Sequence, residues 1–307
     1  MTTFITNIHK TDINLEHLGI TPKEAHAMSI PLRNIEYVEE LNLSDNRLSD
    51  EGATFIFEIL TFGNRIKSLN LSSNNLGFQA MQKMAEMLEE NVNLNTINLS
   101  NNLLDDRCMK ILVTALQDSG YIIMINLSHN HFTENCAELV GTLIEKNSFI
   151  TSLDISWNML GKKGAKSISR GLQKNSSLEY FNIAFNNIGN EGCNHLKTGI
   201  GVNNTLKIFD MSTNNITSDG IKMLAKGLAT NSQLEVLHLQ GNFVHYEGVD
   251  AILVALNSPT SALKLLNIQN VSFNKEQEAK LKKIKEKKDI EIIFHPWVSG
   301  KDFKFGK

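Results

Sequence analysis

The sequence predicts an α/β solenoid, a horseshoe in which short parallel strands line the concave face and helices cover the convex face. One apolar position recurs every 28 residues without a slip over eight consecutive copies, and within each copy the apolar spacing changes from every second residue to every fourth. The recurring positions are Leu41, Leu69, Ile97, Ile125, Leu153, Phe181, Phe209 and Leu237. A unit of this size cannot bury its apolar face alone, so neighbouring copies must stack.

The first half of each copy predicts a short strand that is closed by an asparagine. A second apolar residue stands two positions after the first, as in Leu41 and Leu43, and an asparagine stands five positions after it. Alternation at every second residue is typical of a strand with one buried face. The asparagine amide carries two donors and an acceptor and tolerates left-handed turns, so it can satisfy backbone groups where the strand bends. The copies therefore predict a structural asparagine ladder: Asn46, Asn74, Asn102, Asn130, Asn158, Asn186, Asn214 and Asn242.

The second half of each copy predicts a helix. An apolar pair four residues apart, such as Ile56 and Leu60, recurs in every copy and marks one helix face. Each helix is expected to begin near a small residue such as Gly52, and several are expected to end at an asparagine in the left-handed conformation. The asparagines at the predicted helix ends are Asn91, Asn147, Asn175, Asn203 and Asn231.

The length of 307 residues suggests two domains, but the uninterrupted period predicts one continuous solenoid domain. Residues 1–37 are expected to form a degenerate capping coil, in which Pro22 and Pro31 interrupt the segment after the strand. Residues 38–262 hold the eight regular repeats. In residues 263–307 we expect a degenerate repeat that arrives one residue late and has Val271 in place of the asparagine. It is followed by a capping helix over Lys275 to Lys288, a last strand over Ile290 to Phe294, and a polar tail.

The composition limits the classes of partner and compartment. With 30 basic and 33 acidic residues the formal net charge is −3, which argues against nucleic acid as a partner. No apolar run reaches the length of about 18 residues that a membrane span needs. Three cysteines cannot form a disulfide framework, and the first residues lack the features of a secretory signal. We therefore expect a cytoplasmic protein that is monomeric alone, with the nucleus and ciliary or cytoskeletal structures as open alternatives.

The repeat resembles the ribonuclease-inhibitor type of leucine-rich repeat. Residues 40–48 and 68–76 carry the match to L-x-L-S-x-N-x-L, and the resemblance covers roughly residues 12–274. This repeat also occurs in nucleotide-binding innate receptors, in GTPase-activating proteins for Ran, in tropomodulin and in ciliary scaffold proteins. The chain lacks the cysteine richness and the alternating repeat lengths of ribonuclease inhibitor, the P-loop of the receptors and the acidic tail of the Ran activators. The resemblance implies a free-standing intracellular scaffold.

Few residues suggest catalysis, a metal or a cofactor. Gly199 and Gly201 begin like a dinucleotide loop, but no third glycine follows. His129, His131 and Glu134 have a spacing compatible with a metal, although variable loop residues explain them better. Thiols that pack as small hydrophobes are expected at Cys108, Cys136 and Cys193. We therefore expect a protein that is not an enzyme and needs no cofactor.

A GTPase-activating role is the alternative function that belongs to a different class. It would require an exposed asparagine, glutamine or arginine that acts on the nucleotide site of a small GTPase. Arg47 and Arg65 lie near the first two coils, where such a contact could form. Arg47, however, occupies an ordinary variable position of its repeat.

The variable positions of the strands predict a binding site for a protein partner on the concave face. In the row just before the ladder asparagines, large aromatic residues occur only at Trp157 and Phe185 in adjacent coils. Clustered exposed aromatics are typical of interfaces, whereas mutual stacking along the solenoid is the alternative explanation. The row just after the conserved leucine is nearly uniform asparagine and carries little information about a partner. The candidate partner-binding residues are Trp157, Tyr180, Phe185, Met124, Ile208, Asp154, Asp210 and His238.

Overall fold

The computed structural model describes residues 2–7, 9–61, 65–269, 274–288 and 290–293. Within them, 11 parallel strands pair in chain order into one open sheet, which is the predicted α/β solenoid. The strands are β1 (Asp12–Asn14), β2 (Glu40–Asn42), β3 (Ser68–Asn70), β4 (Thr96–Asn98), β5 (Met124–Asn126), β6 (Ser152–Asp154), β7 (Tyr180–Asn182), β8 (Ile208–Asp210), β9 (Val236–His238), β10 (Leu265–Asn267) and β11 (Glu291–Ile293).

Helices connect the strands and bury the apolar pairs that lie four residues apart. They are α1 (Thr2–Asn7), α2 (Pro22–Leu32), α3 (Ser49–Thr61), α4 (Phe78–Glu90), α5 (Asp106–Asp118), α6 (Ala137–Lys146), α7 (Gly161–Leu172), α8 (Gly189–Val202), α9 (Ser218–Leu228), α10 (Tyr246–Leu256) and α11 (Lys275–Lys288). One apolar core runs through the stack: Leu153 in β6 and Ile168 in α7 are 1% and 0% exposed. Because each coil packs against its neighbours, no coil needs a core of its own.

The register of the sheet follows the period of the sequence. Leu41 of β2 pairs with Leu69 of β3, and the strands up to β9 continue in steps of 28 residues. Leu237 of β9 pairs with Leu266 of β10, one residue later than the period, as predicted. α11 and β11 form where the sequence places a capping helix and a last strand, whereas Val271 and Phe294 lie outside the described residues.

The first coil differs from its prediction, because Pro22 and Pro31 do not interrupt it. Both prolines belong to the continuous helix α2. Pro22 stands at its first position, where the backbone N–H would have no intrahelical partner, so the missing donor costs nothing. Thr21 precedes the helix, and its backbone N–H donates to the Glu24 carboxylate at 3.1 Å, as in a capping box. The degenerate coil therefore keeps the strand-plus-helix form.

Eight buried asparagines at the strand ends, which we call the first ladder, link each coil to the preceding one. Asn130 is representative. Its Nδ2 donates to the carbonyl of Leu99 in the preceding coil and to those of Leu127 and Ser128 in its own, each at 3.1 Å. Its Oδ1 accepts from the N–H of Leu104 at 3.1 Å. One amide thus satisfies backbone groups of two successive coils.

The left-handed residue at this turn is the one before the asparagine, which the sequence analysis did not anticipate. Trp157 and Phe185 have φ values of 53° and 56°. The same position is left-handed throughout the row: Asp45, Ser73, Asn101, His129, Trp157, Phe185, Thr213 and Gly241. Because the asparagine side chain must point between the coils, the residue before it adopts the left-handed conformation that turns the chain.

The asparagines at the helix ends also differ from their prediction, because they are not left-handed. Asn147 has φ −83° and ψ 124°, which is extended backbone. Its Nδ2 donates to the carbonyl of Leu116 at 2.7 Å, and its Oδ1 accepts from the N–H groups of Phe149 and Ile150 at 2.9 and 2.8 Å. Since the side chain takes up the free backbone groups, no left-handed turn is needed. The same bonds recur in a second ladder: Asn91, Asn147, Asn175, Asn203 and Asn231.

We expect Asn130→Ala to lower the free energy of unfolding by about 1 to 3 kcal/mol, because it removes four hydrogen bonds to buried backbone groups. Chemical denaturation of both proteins measures this difference. Asn194→Ala, on the exposed face of α8, is the control and should change the free energy by less than about 0.5 kcal/mol. An unchanged midpoint for Asn130→Ala would contradict a supporting role for the first ladder.

Candidate protein-interaction surface

The first and third residues of each strand face away from the core and form the concave surface. Three of the candidate residues, Met124, Asp154 and Tyr180, line one groove of about 550 Å³ across β4 to β7. Met124 is 46% exposed, so it offers apolar surface to a partner. Thr96, Asn98, Asn126, Thr151, Ser152 and Glu179 also line the groove. Apolar and polar side chains thus both line the groove.

Two carboxylates of the adjacent strands, Asp154 and Asp210, flank Asn182 in β7 and influence the hydroxyl of Tyr180, which lies two residues earlier on the same strand. The Tyr180 side chain is half-buried, and burial raises the pKa of its hydroxyl. The negative charges of Asp154 in β6 and Asp210 in β8 raise this pKa further, whereas a hydrogen bond with Asn182 lowers it. The phenol therefore stays neutral at physiological pH and carries a hydroxyl that can donate or accept a hydrogen bond.

The two aspartates use the same contacts as the asparagines of neighbouring coils. Asp154 accepts from the Ser156 N–H at 2.9 Å, and Asp210 accepts from the Ser212 N–H at 2.8 Å. Asn98 makes the equivalent bond at 3.0 Å. Asparagine and aspartate thus accept the same turn bond, so that bond does not require a charge.

Neither aspartate has a cationic partner within ion-pair distance in the described part of the chain. The glutamates that directly precede β2, β7 and β9 differ, because they pair with lysines of the next coil. These pairs are Glu39 with Lys67 at 2.9 Å, Glu179 with Lys207 at 2.9 Å and Glu235 with Lys264 at 2.8 Å. Asp154 and Asp210 consequently leave this part of the concave surface with excess negative charge.

Trp157, which is exposed, and Phe185, which is half-buried, form an aromatic stack at the strand ends. Their ring centroids are 3.6 Å apart and the planes differ by 12°. The His129 ring extends the stack, with its centroid 4.7 Å from that of Trp157 and a difference of 16° between the planes. Mutual stacking along the solenoid therefore occurs. Trp157 is nevertheless 46% exposed, so the outer side of the stack remains open to solvent.

The structure divides the candidate residues into separate regions. The aromatic stack is not among the residues that line the groove with Tyr180. Ile208, Asp210 and His238 lie on β8 and β9, further along the concave face. The Nδ1 of His238 is buried and has no hydrogen-bond partner in the structure.

Sequence reasoning missed three exposed apolar side chains at the strand ends. Leu103, Met159 and Phe243 are 51%, 56% and 60% exposed. Each directly follows an asparagine of the first ladder, a position that holds a polar residue in the other repeats. An apolar residue in that otherwise polar column was the signal available in the sequence. Together with the stack, Met159 adds apolar surface to the edge of the concave face.

The residues that could support other chemistry are dispersed. No group of three or more His, Cys, Asp or Glu side chains among the described residues could hold a metal ion. The His129 ring lies in the aromatic stack, and Glu134 lies 3.7 Å from the Lys163 ammonium. Arg47 is exposed, and its backbone N–H donates to the Ile20 carbonyl. Among the described residues, no helix is long and apolar enough to cross a membrane.

Comparison with a family model identifies the repeats. The model described as "Leucine Rich repeat" matches residues 35–57, 146–169, 174–196 and 202–225. These matches, together with the repeated strand and helix, show that the chain is a leucine-rich-repeat protein. Members of this class are generally non-enzymatic scaffolds for protein interaction. No curated protein matches the chain at a significant level.

Two solved structures show similarity to the chain. An internalin (inlF) from Listeria monocytogenes is 16% identical, with 85% of this chain and 75% of that chain covered and a TM-score of 0.49. Leiomodin-1 actin-binding site 2 is 16% identical, with 50% of this chain and 88% of that chain covered and a TM-score of 0.41. At such TM-scores neither likeness carries an argument about function.

The three cysteines are buried free thiols, as the sequence predicts. Burial raises the pKa of the Cys108 and Cys193 thiols to about 12 and also raises the pKa of Cys136. Because the thiolate is the reactive form, we expect almost no reaction with Ellman's reagent at pH 8 in the native state. All three thiols should react after unfolding in guanidinium chloride. Rapid labelling of the native protein would show that a cysteine is accessible and ionised.

Proposed function

We propose that this chain is a non-catalytic, intracellular scaffold of the ribonuclease-inhibitor type that binds a basic segment of a protein partner on its concave face. The observation that carries the proposal is the pair of carboxylates, Asp154 and Asp210, on the two strands that flank β7 near Tyr180, without a cationic partner within ion-pair distance among the described residues. The three buried thiols suit a reducing compartment.

The charge of the two aspartates favours a cationic side chain from the partner. Asparagine makes the same turn bond in neighbouring coils, so this bond does not need the negative charge. An arginine of the partner could place its guanidinium over the Tyr180 ring and pair with Asp154 or Asp210. The exposed Met124 side chain would then pack against the apolar stem of that arginine.

The aromatic stack supplies a second contact for the same partner. Trp157 and Phe185 occupy left-handed positions, which cost a residue other than glycine about 1 kcal/mol or more. Other coils carry Asp45, Asn101 or Gly241 at this position, which fit the turn better. The fold therefore does not select the aromatics, whereas an interface would benefit from their rigid, exposed surface.

The double variant Asp154→Asn with Asp210→Asn tests the proposed site. Proximity labelling and capture from cells identify a partner, and the Kd of the purified partner is then measured with each variant. We expect an affinity at least about tenfold lower for the double variant, with a smaller salt dependence, because two charges are lost. Its unfolding midpoint should stay unchanged, since asparagine keeps the turn bonds.

Asp219→Asn with Asp250→Asn, on helices α9 and α10, removes the same charge elsewhere and is the control. Equal Kd values for the wild type and the concave double variant would exclude the aspartates from the interface. If the partner is a small GTPase whose hydrolysis the chain accelerates, and Arg47→Ala abolishes that acceleration, the GTPase-activating alternative replaces this proposal.

The double variant Trp157→Asn with Phe185→Asn tests the aromatic stack. Asparagine tolerates the left-handed backbone, as Asn101 does in this row, so the circular dichroism spectrum should remain that of the wild type. We expect the Kd for the same partner to rise at least about tenfold through the loss of two hot-spot side chains. Retained affinity would restrict the interface to the groove around Tyr180.

A further inference from the structure

The second ladder is interrupted at a single coil between Asn91 and Asn147. Ser119 occupies that position, and it ends α5 with φ −83° and ψ 110°, close to the backbone of Asn91 and Asn147. Its side chain is too short to act as an asparagine does. The Ser119 hydroxyl is buried and has no hydrogen-bond partner in the structure, and the residue is 3% exposed.

Three backbone groups lose their ladder bonds as a result. In the other coils, the carboxamide donates to a carbonyl 31 residues earlier, at 2.6 to 2.8 Å, and accepts from two N–H groups just after the asparagine. The equivalent groups here are the carbonyl of Leu88 and the N–H groups of Tyr121 and Ile122. Since the Ser119 hydroxyl bonds to none of them, this coil lacks one carboxamide.

A groove on the helix side of the solenoid opens at the same place. Its volume is about 470 Å³, and Leu88, Ser119 and Tyr121 line it together with Ala85, Ile111 and Ala115. Where Ile144 and Asn175 take the positions of Leu88 and Ser119, they line a cavity of about 10 Å³ that core residues such as Leu153 and Leu178 close. The large groove therefore coincides with the missing carboxamide.

The residue at one helix position that lines the groove also differs between the coils. Gly227 in α9 allows close contact with α8, because a Cβ there would lie 2.2 Å from the carbonyl oxygen of Lys197. Gly171 and Gly199 occupy the equivalent positions in α7 and α8, but α5 has Ala115. At α5 the Cβ of Ala115 stands in the place of this close contact and lines the groove.

We propose that the groove between α4 and α5 binds a primary carboxamide carried on a short apolar group. The ligand would occupy the place of the missing asparagine side chain, with its NH₂ group donating to the Leu88 carbonyl. Its oxygen would accept from the N–H groups of Tyr121 and Ile122 or from the Ser119 hydroxyl. The apolar part would lie along Ala85, Ile111 and Ala115.

The chemistry of the site selects a carboxamide over related groups. A carboxylate has no proton to donate to the Leu88 carbonyl, and an alcohol has only one oxygen to serve both ends of the site. A carboxamide has both a donor and an acceptor in the arrangement that five asparagines of this chain already use. Leaving a buried polar group unpaired is costly, so the analogues should bind more weakly.

The experiment titrates hexanamide into the ¹⁵N-labelled full-length chain and follows the amide resonances of Ser119, Tyr121 and Ile122. We expect saturable shifts at these residues, with hexan-1-ol and hexanoate binding at least about tenfold more weakly. Ser119→Asn should abolish the shifts and raise the melting temperature, because the chain then supplies its own carboxamide. Ser232→Asn, at an exposed position beside Asn231, is the control and should change neither result.

A second variant keeps the test decisive if Ser119→Asn does not fold. Ala115→Leu places in α5 the residue that α6 has at the equivalent position, Leu143, and should block the apolar part of the groove. Equal binding of the three probes would show an apolar groove without a carboxamide site and would overturn the proposal. It is likewise overturned if hexanamide causes no shifts, or if it binds the folded Ser119→Asn protein as it binds the wild type.

Discussion

A buried asparagine amide that reaches back to the carbonyl of the preceding coil is the interaction on which the rest of this structure depends. The bond from Asn130 to Leu99 spans 31 residues, and its equivalents recur along the first ladder. Because these bonds fix the step between coils, strand residues 28 positions apart become neighbours on the sheet. Equivalent residues of successive coils therefore form straight rows on the concave surface. A substitution in one coil lies directly beside the equivalent residues of the neighbouring coils.

The second ladder does the same at the other end of the helices, where it replaces the glycine-based helix stops that many helices use. Its dependence on side-chain length explains why one substitution has a local effect. Ser119 keeps the backbone conformation of the asparagines but not their reach, so the strand side remains regular while the helix side opens. The two faces of the solenoid are thus supported by separate sets of hydrogen bonds.

Equivalent positions of different coils can be compared with one another, which distinguishes residues that the fold requires from residues that it does not. Where most coils use asparagine, Asp154 and Asp210 make the same turn bonds and add charge. Where other coils use small or polar residues in left-handed turns, Trp157 and Phe185 add aromatic surface. Each departure leaves the local geometry intact and changes only what the surface offers to a partner. The proposed function depends on these departures rather than on the consensus.

The sequence by itself determined the strand and helix positions, the continuous solenoid and the late coil at Leu266, because these follow from the spacing of apolar residues along the chain. It did not determine which residue of each turn is left-handed, or that Asn147 ends its helix in extended backbone. Both of these backbone conformations depend on which carbonyl of the preceding coil the asparagine amide can reach. The groove that Met124, Asp154 and Tyr180 share and the groove at Ser119 were also decided by the tertiary structure, since both depend on distances between coils.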